Sequence, residues 1–265
     1  MKQVFLSADD FGRSLNRNKA IDESFKRGLI KSAGLIMTGQ HLQDAVNLIN
    51  NGGYVEHVHC HFNVSGNING EDSLDRPLTE KIAKDSAFCE NGLFKPYKSL
   101  PNRPKDIFKW WKVYKELCAQ YEKFLQMTEG KGNRSHIDFH LWYNLTWPVS
   151  IALNFFTWTH GIKSVRYIGV HQVRSRRLRL LRLLSWNPFV KCYRSSNIDG
   201  FLTYPEWFQN EKRFELYCHP DYMKNGGEVM DNSISYFGHE KQPMETNVQL
   251  LKKKDDLEFV SWAEK

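Results

Sequence analysis

The stretch Gln3-Val4-Phe5-Leu6-Ser7-Ala8-Asp9-Asp10-Phe11-Gly12 (residues 3–12) is a short apolar run that ends in two acids. An apolar run of this length reads as a buried strand, predicted over Gln3 to Leu6. The acids then stand at its C-terminal end. Three later stretches repeat the arrangement. Tyr54 to Phe62 reads as a strand and ends at His61. Ser135 to Phe139 runs into His140, with Asp138 two residues earlier. Phe214 to Cys218 runs into His219-Pro220. In a parallel (β/α) barrel or open sheet the C-terminal strand ends share one face, and sites form on that face. Asp and His delivered there by four separate strands point to chemistry more strongly than any one motif.

The remaining segments fit the same architecture. Helices are predicted over Asn16 to Arg27, with Gly28 as a stop, and over His41 to Asn51, closed by Gly52-Gly53. Lys105 to Met127 carries Ile107, Trp110, Trp111, Tyr114, Leu117, Cys118, Tyr121 and Leu125 at three- and four-residue steps, the clearest helical stripe in the chain. Pro148 to His160 and Glu245 to Lys253 complete the helices. Ala33 to Met37, Ser164 to Ile168, Gly200 to Thr203 and Leu257 to Trp262 complete the strands. Residues 63–104 are rich in Gly, Asn and Pro and read as a long excursion, either a lid or a segment with short elements of its own. The expectation is an α/β protein, an irregular TIM-like (β/α) barrel forming a single domain over 1–265.

Composition excludes several classes. The 265 residues are 41% hydrophobic and 25% charged, which rules out a disordered chain. No stretch approaches the roughly 18–20 uninterrupted apolar residues of a membrane span, and the N-terminal apolar run is too short for a signal peptide. Five scattered cysteines without a C-x-x-C pair argue against a disulfide framework or a thiolate zinc site, and a reducing cytoplasm is expected. The net charge of +7 allows an anionic partner.

Two imidazoles and a carboxylate form a facial set for a divalent ion, with a second carboxylate free to act as base and a further His as acid. Each motif also has a plainer explanation. Adjacent acids after a strand often make a turn or cap. His57, His59 and His61 alternate on one strand face, as do His136, Asp138 and His140, and strand histidines are usually structural.

Taken together, Ser7-Ala8-Asp9-Asp10-Phe11-Gly12, Ile30 to Met37, His61-Phe62-Asn63-Val64-Ser65-Gly66, His136 to His140, and Glu215-Leu216-Tyr217-Cys218-His219-Pro220 resemble the YdjC-like (ChbG/HpnK) carbohydrate deacetylases. The blocks occur in the family's order; 67–130 and 169–199 match weakly. The resemblance implies metal-dependent removal of N-acetyl groups from amino sugars. It implies that Asp10, His61 and His140 hold one divalent ion, Zn²⁺ or Mg²⁺. By the same resemblance Asp9 is the base, His219 the acid, and Arg166 the residue that holds the base. Phe11, Asp138 and Trp142 are the residues expected to face the sugar, Trp142 together with Tyr143. The chain departs from the family after His140, where Leu141 to Asn144 replace a run of histidines, and at Asp221, where the family has Gly. Rival readings are another metallohydrolase, such as a phosphoesterase, and a non-catalytic carbohydrate- or anion-binding protein on the same fold.

Finally, Arg174, Arg176, Arg177, Arg179 and Arg182 alternate with leucines up to Trp186. The segment 169–199 reads as a basic insertion. Its 174–186 core is either a surface helix or a peripheral contact with an anionic membrane, which would put the protein at the inner face of that membrane. Nucleic acid is an improbable partner, because no recognition motif accompanies the cluster. Nothing in the sequence indicates an oligomeric state.

Overall fold

β1 (Lys2–Phe11) is paired along both edges, and its pairings close the sheet. The computed structural model describes residues 1–66, 75–140, 146–168, 180, 183–184, 187–222, 227–233 and 240–264. One edge of β1 pairs with β9 (Arg213–Cys218) from Gln3 to Ala8. The other edge is shared. β12 (Leu257–Val260) takes Lys2 to Phe5, and β2 (Ser32–Ile36) takes Ser7 to Phe11. Between β2 and β9 lie β3 (Val58–Phe62), β6 (Asn133–Phe139), β7 (Ser164–Ile168) and β8 (Lys191–Asn197). Every pairing in this ring is parallel, which gives a closed seven-stranded barrel. Helices α1 (Leu15–Lys26), α2 (Leu42–Gly52), α4 (Trp110–Met127) and α5 (Trp147–His160) surround it.

The period-2 alternation of the strands sorts apolar from polar residues. Val4, Leu6 and Ala8 of β1, Val58, Cys60 and Phe62 of β3, and Phe214, Leu216 and Cys218 of β9 face outward into the helix-side core. The inward positions are mostly polar. At the bottom of the barrel Phe5, Tyr193, Val260 and Trp262 form a separate apolar cluster. There the Trp262 ring lies between Phe5 and His136, with centroids 3.6 Å away on each side.

Several expectations need correction. Gly200 to Thr203 is not a strand but the end of α6 (Ile198–Thr203), whose start is capped by the Asn197 side chain accepting from the Gly200 N–H at 2.9 Å. The strand at this point of the barrel is β8, whose inward Ser195 and Asn197 give it no apolar alternation to read. The helical stripe from Lys105 starts as a 3₁₀ turn over Pro104–Lys109. His57 belongs to a 3₁₀ turn before β3. The excursion at 63–104 contains short elements: α3 (Glu80–Ala83) and a hairpin of β4 (Cys89–Glu90) and β5 (Leu93–Phe94). Asn91 and Gly92 turn this hairpin with positive φ of 52° and 74°, as a two-residue hairpin loop demands. Most of 174–186 lies outside the described residues, as does Trp142. The C-terminal helix is α7 (Met244–Lys252).

Candidate active site and metal centre

Adjacent strand residues normally face opposite ways, so Asp9 and Asp10 should not share a pocket. Two local features bring them together. The register of β1 against β2 shifts between Ala8 and Phe11, and Asp10 takes a left-handed φ of 66°. Such a bulge re-aims a side chain at a sheet end, at a backbone cost of about 1–3 kcal/mol for a non-glycine residue. Asp9 already points into the barrel by alternation, and Asp10 turns back over its mouth. Phe11 then returns to the outer face and is fully buried in the helix-side core. Phe11 therefore packs rather than lining the opening, contrary to its expected role.

Asp10 Oδ1 lies 2.7 Å from His140 Nδ1 and 3.3 Å from His61 Nε2. The ligand atoms of Asp10, His61 and His140 all fall within 4.8 Å of one another, and all three residues are buried. His61 Nδ1 lies 2.7 Å from Asp138 Oδ1 and donates to it, which leaves Nε2 facing Asp10 without a well-aligned hydrogen bond. A carboxylate behind one ring nitrogen, with the other nitrogen bare, is the usual second shell of a metal-binding histidine. Two nitrogens and one carboxylate oxygen at this spacing suit a divalent cation. The ring of His61 also fixes its neighbour: a Cβ on Gly34 of β2 would come 3.0 Å from His61 Cβ and Nδ1.

Beneath this group lies a buried charge network. Arg166 of β7 donates to Asp9 Oδ2 at 2.5 Å and Oδ1 at 2.7 Å, and its Nη2 reaches Glu215 Oε1 at 2.7 Å and Asp138 Oδ2 at 2.6 Å. His59 Nε2 sits 3.0 Å from Asp138 Oδ2. Asp138 is thus fully buried under His61 and does not face the mouth. Its position corrects the expected sugar contact: it supports a histidine. Two deeper groups, His59–His136–Asp138 and Asp9–His61–Asp138, also have ligand-like spacing. In both, the Arg166 guanidinium already serves as the cation beside the carboxylates.

His219 follows β9 and reaches the mouth from the opposite side. Its Nε2 is 3.9 Å from Asp9 Oδ2, and its Nδ1 is 3.0 Å from Ser233 Oγ. Its backbone N–H donates to Asp231 Oδ1 at 3.0 Å. The hairpin of β10 (Pro220–Tyr222) and β11 (Val229–Asp231) brings these supports back to it.

The electrostatics follow from burial and close charges. Burial would raise the Asp10 carboxyl, but His140 and Arg13 hold it well below the usual range. Burial pushes His140 down to about 4, against the pull of Asp10. Burial would lower His61 too, yet Asp138 and Asp10 lift it to about 10. Burial also lowers His219, despite Asp9.

The sequence reading gave no role to Arg13, Arg17, Glu215, Asp231 or Ser233. Arg13 Nη1 lies 2.8 Å from His140 Nε2, and Arg17 Nη1 donates to Asp10 Oδ2 at 2.5 Å. Arg13 stands three residues after Asp10 and Arg17 seven, so their closeness to the acidic pair in the chain was a usable signal. Asp231 and Ser233 reach His219 only through the hairpin, which carries no such signal.

A family model described as YdjC-like protein matches residues 3–259. Carbohydrate deacetylase 2 of Listeria innocua serovar 6a is 28% identical over 148 residues, covering 56% of this chain and 53% of that protein. The match thus spans about half the length of this relative. Among solved structures, a candidate cellobiose-phosphate cleavage protein of Enterococcus faecalis V583 superposes with a TM-score of 0.66 at 16% identity, covering 99% of this chain and 98% of that one. The two share a fold.

Proposed function

Because the chain belongs to the YdjC-like family, we propose that it is a carbohydrate deacetylase that removes the N-acetyl group of an amino sugar, using one divalent cation held by Asp10, His61 and His140. The Listeria relative, a carbohydrate deacetylase by name, supports the substrate class. The observation that carries the reading is the facing pair of Asp9 and His219 Nε2, 3.9 Å apart, beside the Asp10–His61–His140 group.

When bound, the cation, Zn²⁺ or Mg²⁺, supplies Lewis acidity, which can lower the pKa of water from 15.7 to about 7 and polarise a carbonyl oxygen. Asp9 accepts the proton of the attacking water as the new C–O bond forms at the acetyl carbon. Arg166 grips both Asp9 oxygens, so the carboxylate holds its direction. His219 donates its Nε2 proton to the departing nitrogen, which leaves as an amine while acetate remains. Ser233 and Asp231 fix the ring and the backbone of His219 for that transfer. Trp142 and Tyr143 are assigned to stacking on the sugar. No helix among the described residues is long and apolar enough to cross a membrane. Five free cysteines fit a reducing compartment, and we assign the protein to the cytoplasm.

Acetate release from chitooligosaccharides and lipid-linked GlcNAc, with metal analysis of each variant, tests the reading. Asp9→Asn should keep its cation and lose about 10²–10⁴-fold in kcat. Asp10→Ala and His140→Ala should lose the cation. Near-native turnover by Asp9→Asn, or phosphate release in place of acetate, overturns the proposal.

A further inference from the structure

Large apolar side chains are exposed mainly on one side of the described structure. Phe108 is 84% exposed, Phe189 74%, Leu183 65% and Trp158 55%. Trp111 and Phe155 are also exposed. Ring contacts join them: Trp111 stacks on Tyr114 at 5.2 Å, Tyr114 meets Phe155 at 5.0 Å, and Trp158 meets Phe189 at 5.3 Å. Phe155 and Trp158 are one helical turn apart on α5. Asn154 Nδ2 donates to the Leu184 carbonyl at 3.0 Å, which holds Leu183 and its neighbour against the same helix. These residues form an apolar face, whereas exposed hydrophobics scattered singly need no explanation.

Cations outnumber acids among the described residues around this face. Between Asp138 and Asp199 the sequence contains no acidic residue, and among the described residues there Lys163 and Lys191 are exposed cations. Along Pro104 to Lys115 the one acid, Asp106, is buried; Lys105 and Lys115 are exposed, while Lys109 and Lys112 both pair with Asp85. Lys115 Nζ lies 4.9 Å above the Trp111 ring. Aromatic rings flanked by cations match the boundary of an anionic bilayer, where Trp and Phe enter the headgroup zone and Lys and Arg meet lipid phosphates. A second copy of this chain would bring the same cations against one another.

We propose that the face formed by Trp111, Phe155, Trp158, Leu183 and Phe189 is a docking surface for anionic membranes. It acts independently of the catalytic reading, since none of these side chains belongs to the site. Each exposed aromatic gains about 1.5–3 kcal/mol on full burial, so losing two should weaken binding by more than tenfold even if they insert only partly.

The full-length chain is sedimented with vesicles of phosphatidylcholine alone and of phosphatidylcholine with phosphatidylglycerol, at low and high salt. Wild type should bind the anionic vesicles, release in high salt, and ignore the neutral ones. Trp158→Ser/Phe189→Ser replaces two exposed rings in contact with each other, so its thermal midpoint should stay near that of wild type while binding falls by more than tenfold. Lys115→Glu should weaken binding with the aromatic rings intact. Absence of binding by wild type, or equal binding by a folded double variant, overturns the proposal. So does a wild-type dimer that the double variant converts to monomer without any vesicle binding, because the occupant is then a second copy.

Discussion

Asp10 and His61 show how much of the site depends on single side chains in unusual states. In the cation-free protein His61 is an imidazolium at neutral pH, with a pKa of about 10, because Asp138 and Asp10 outweigh its burial. His140, at about 4, is already neutral. A cation can bind His61 only after its Nε2 proton leaves. Cation binding at pH 8 should therefore release about one proton, and affinity should rise about tenfold per pH unit until pH nears 10. Titration calorimetry in buffers of differing ionisation enthalpy measures the proton count directly. A count of zero would show that His61 is already neutral before the cation binds, and would end the predicted pH dependence. The acidic pair itself was legible in the sequence as two acids after a strand. The means by which both reach one pocket was not, because a left-handed Asp leaves no mark in composition or periodicity.

At the scale of elements, strand ends set the site and strand neighbours set its precision. Gly34 of β2 is a position where the partner strand needs the absence of a side chain, since His61 lies against it. Gly34→Ala should displace the His61 ring by a few tenths of an ångström and weaken cation binding by about tenfold, the lower end of what second-shell changes cause. Equilibrium dialysis with Zn²⁺ reads this, and unchanged affinity would show that the ring has room to give. Elements with strong patterns were readable: β7 was bounded correctly at Ser164–Ile168, and α4 by its aromatic stripe. β8 was not, because a strand whose inward residues are Ser195 and Asn197 lacks the alternation that marks strands beside a dry core. The short apolar run after it resembled a strand, and only the Asn197 cap decides for a helix.

For the whole molecule, the polar interior makes stability depend on charge. Burial would raise the Glu215 carboxyl, but Arg166 and His136 hold it down at about 2, and Asp138 and Asp10 are likewise depressed. These carboxylates bind fewer protons folded than unfolded above pH 2. Their stabilisation is full above about pH 5 and is lost as pH falls toward 2. Circular dichroism across that window should show steep acid unfolding; a flat profile would mean the network contributes little. Trp262→Ala removes the ring that fills the barrel floor and should cost about 3–5 kcal/mol, read as a lower urea midpoint with unchanged slope. The barrel class was legible because four strands ended in chemistry. The floor was not, because Trp262 gains its partners Phe5 and His136 only across the closed sheet.

The shared edge of β1 also carries a timing consequence. In the nascent chain β1 lacks its lower neighbour until residues 257–260 emerge, and Trp262 follows them. A nascent chain stalled before Leu257 should be digested readily by protease, whereas one released after Trp262 should resist. Arrival of residues 257–262, rather than of the acidic pair, would then be the moment at which the pocket becomes durable.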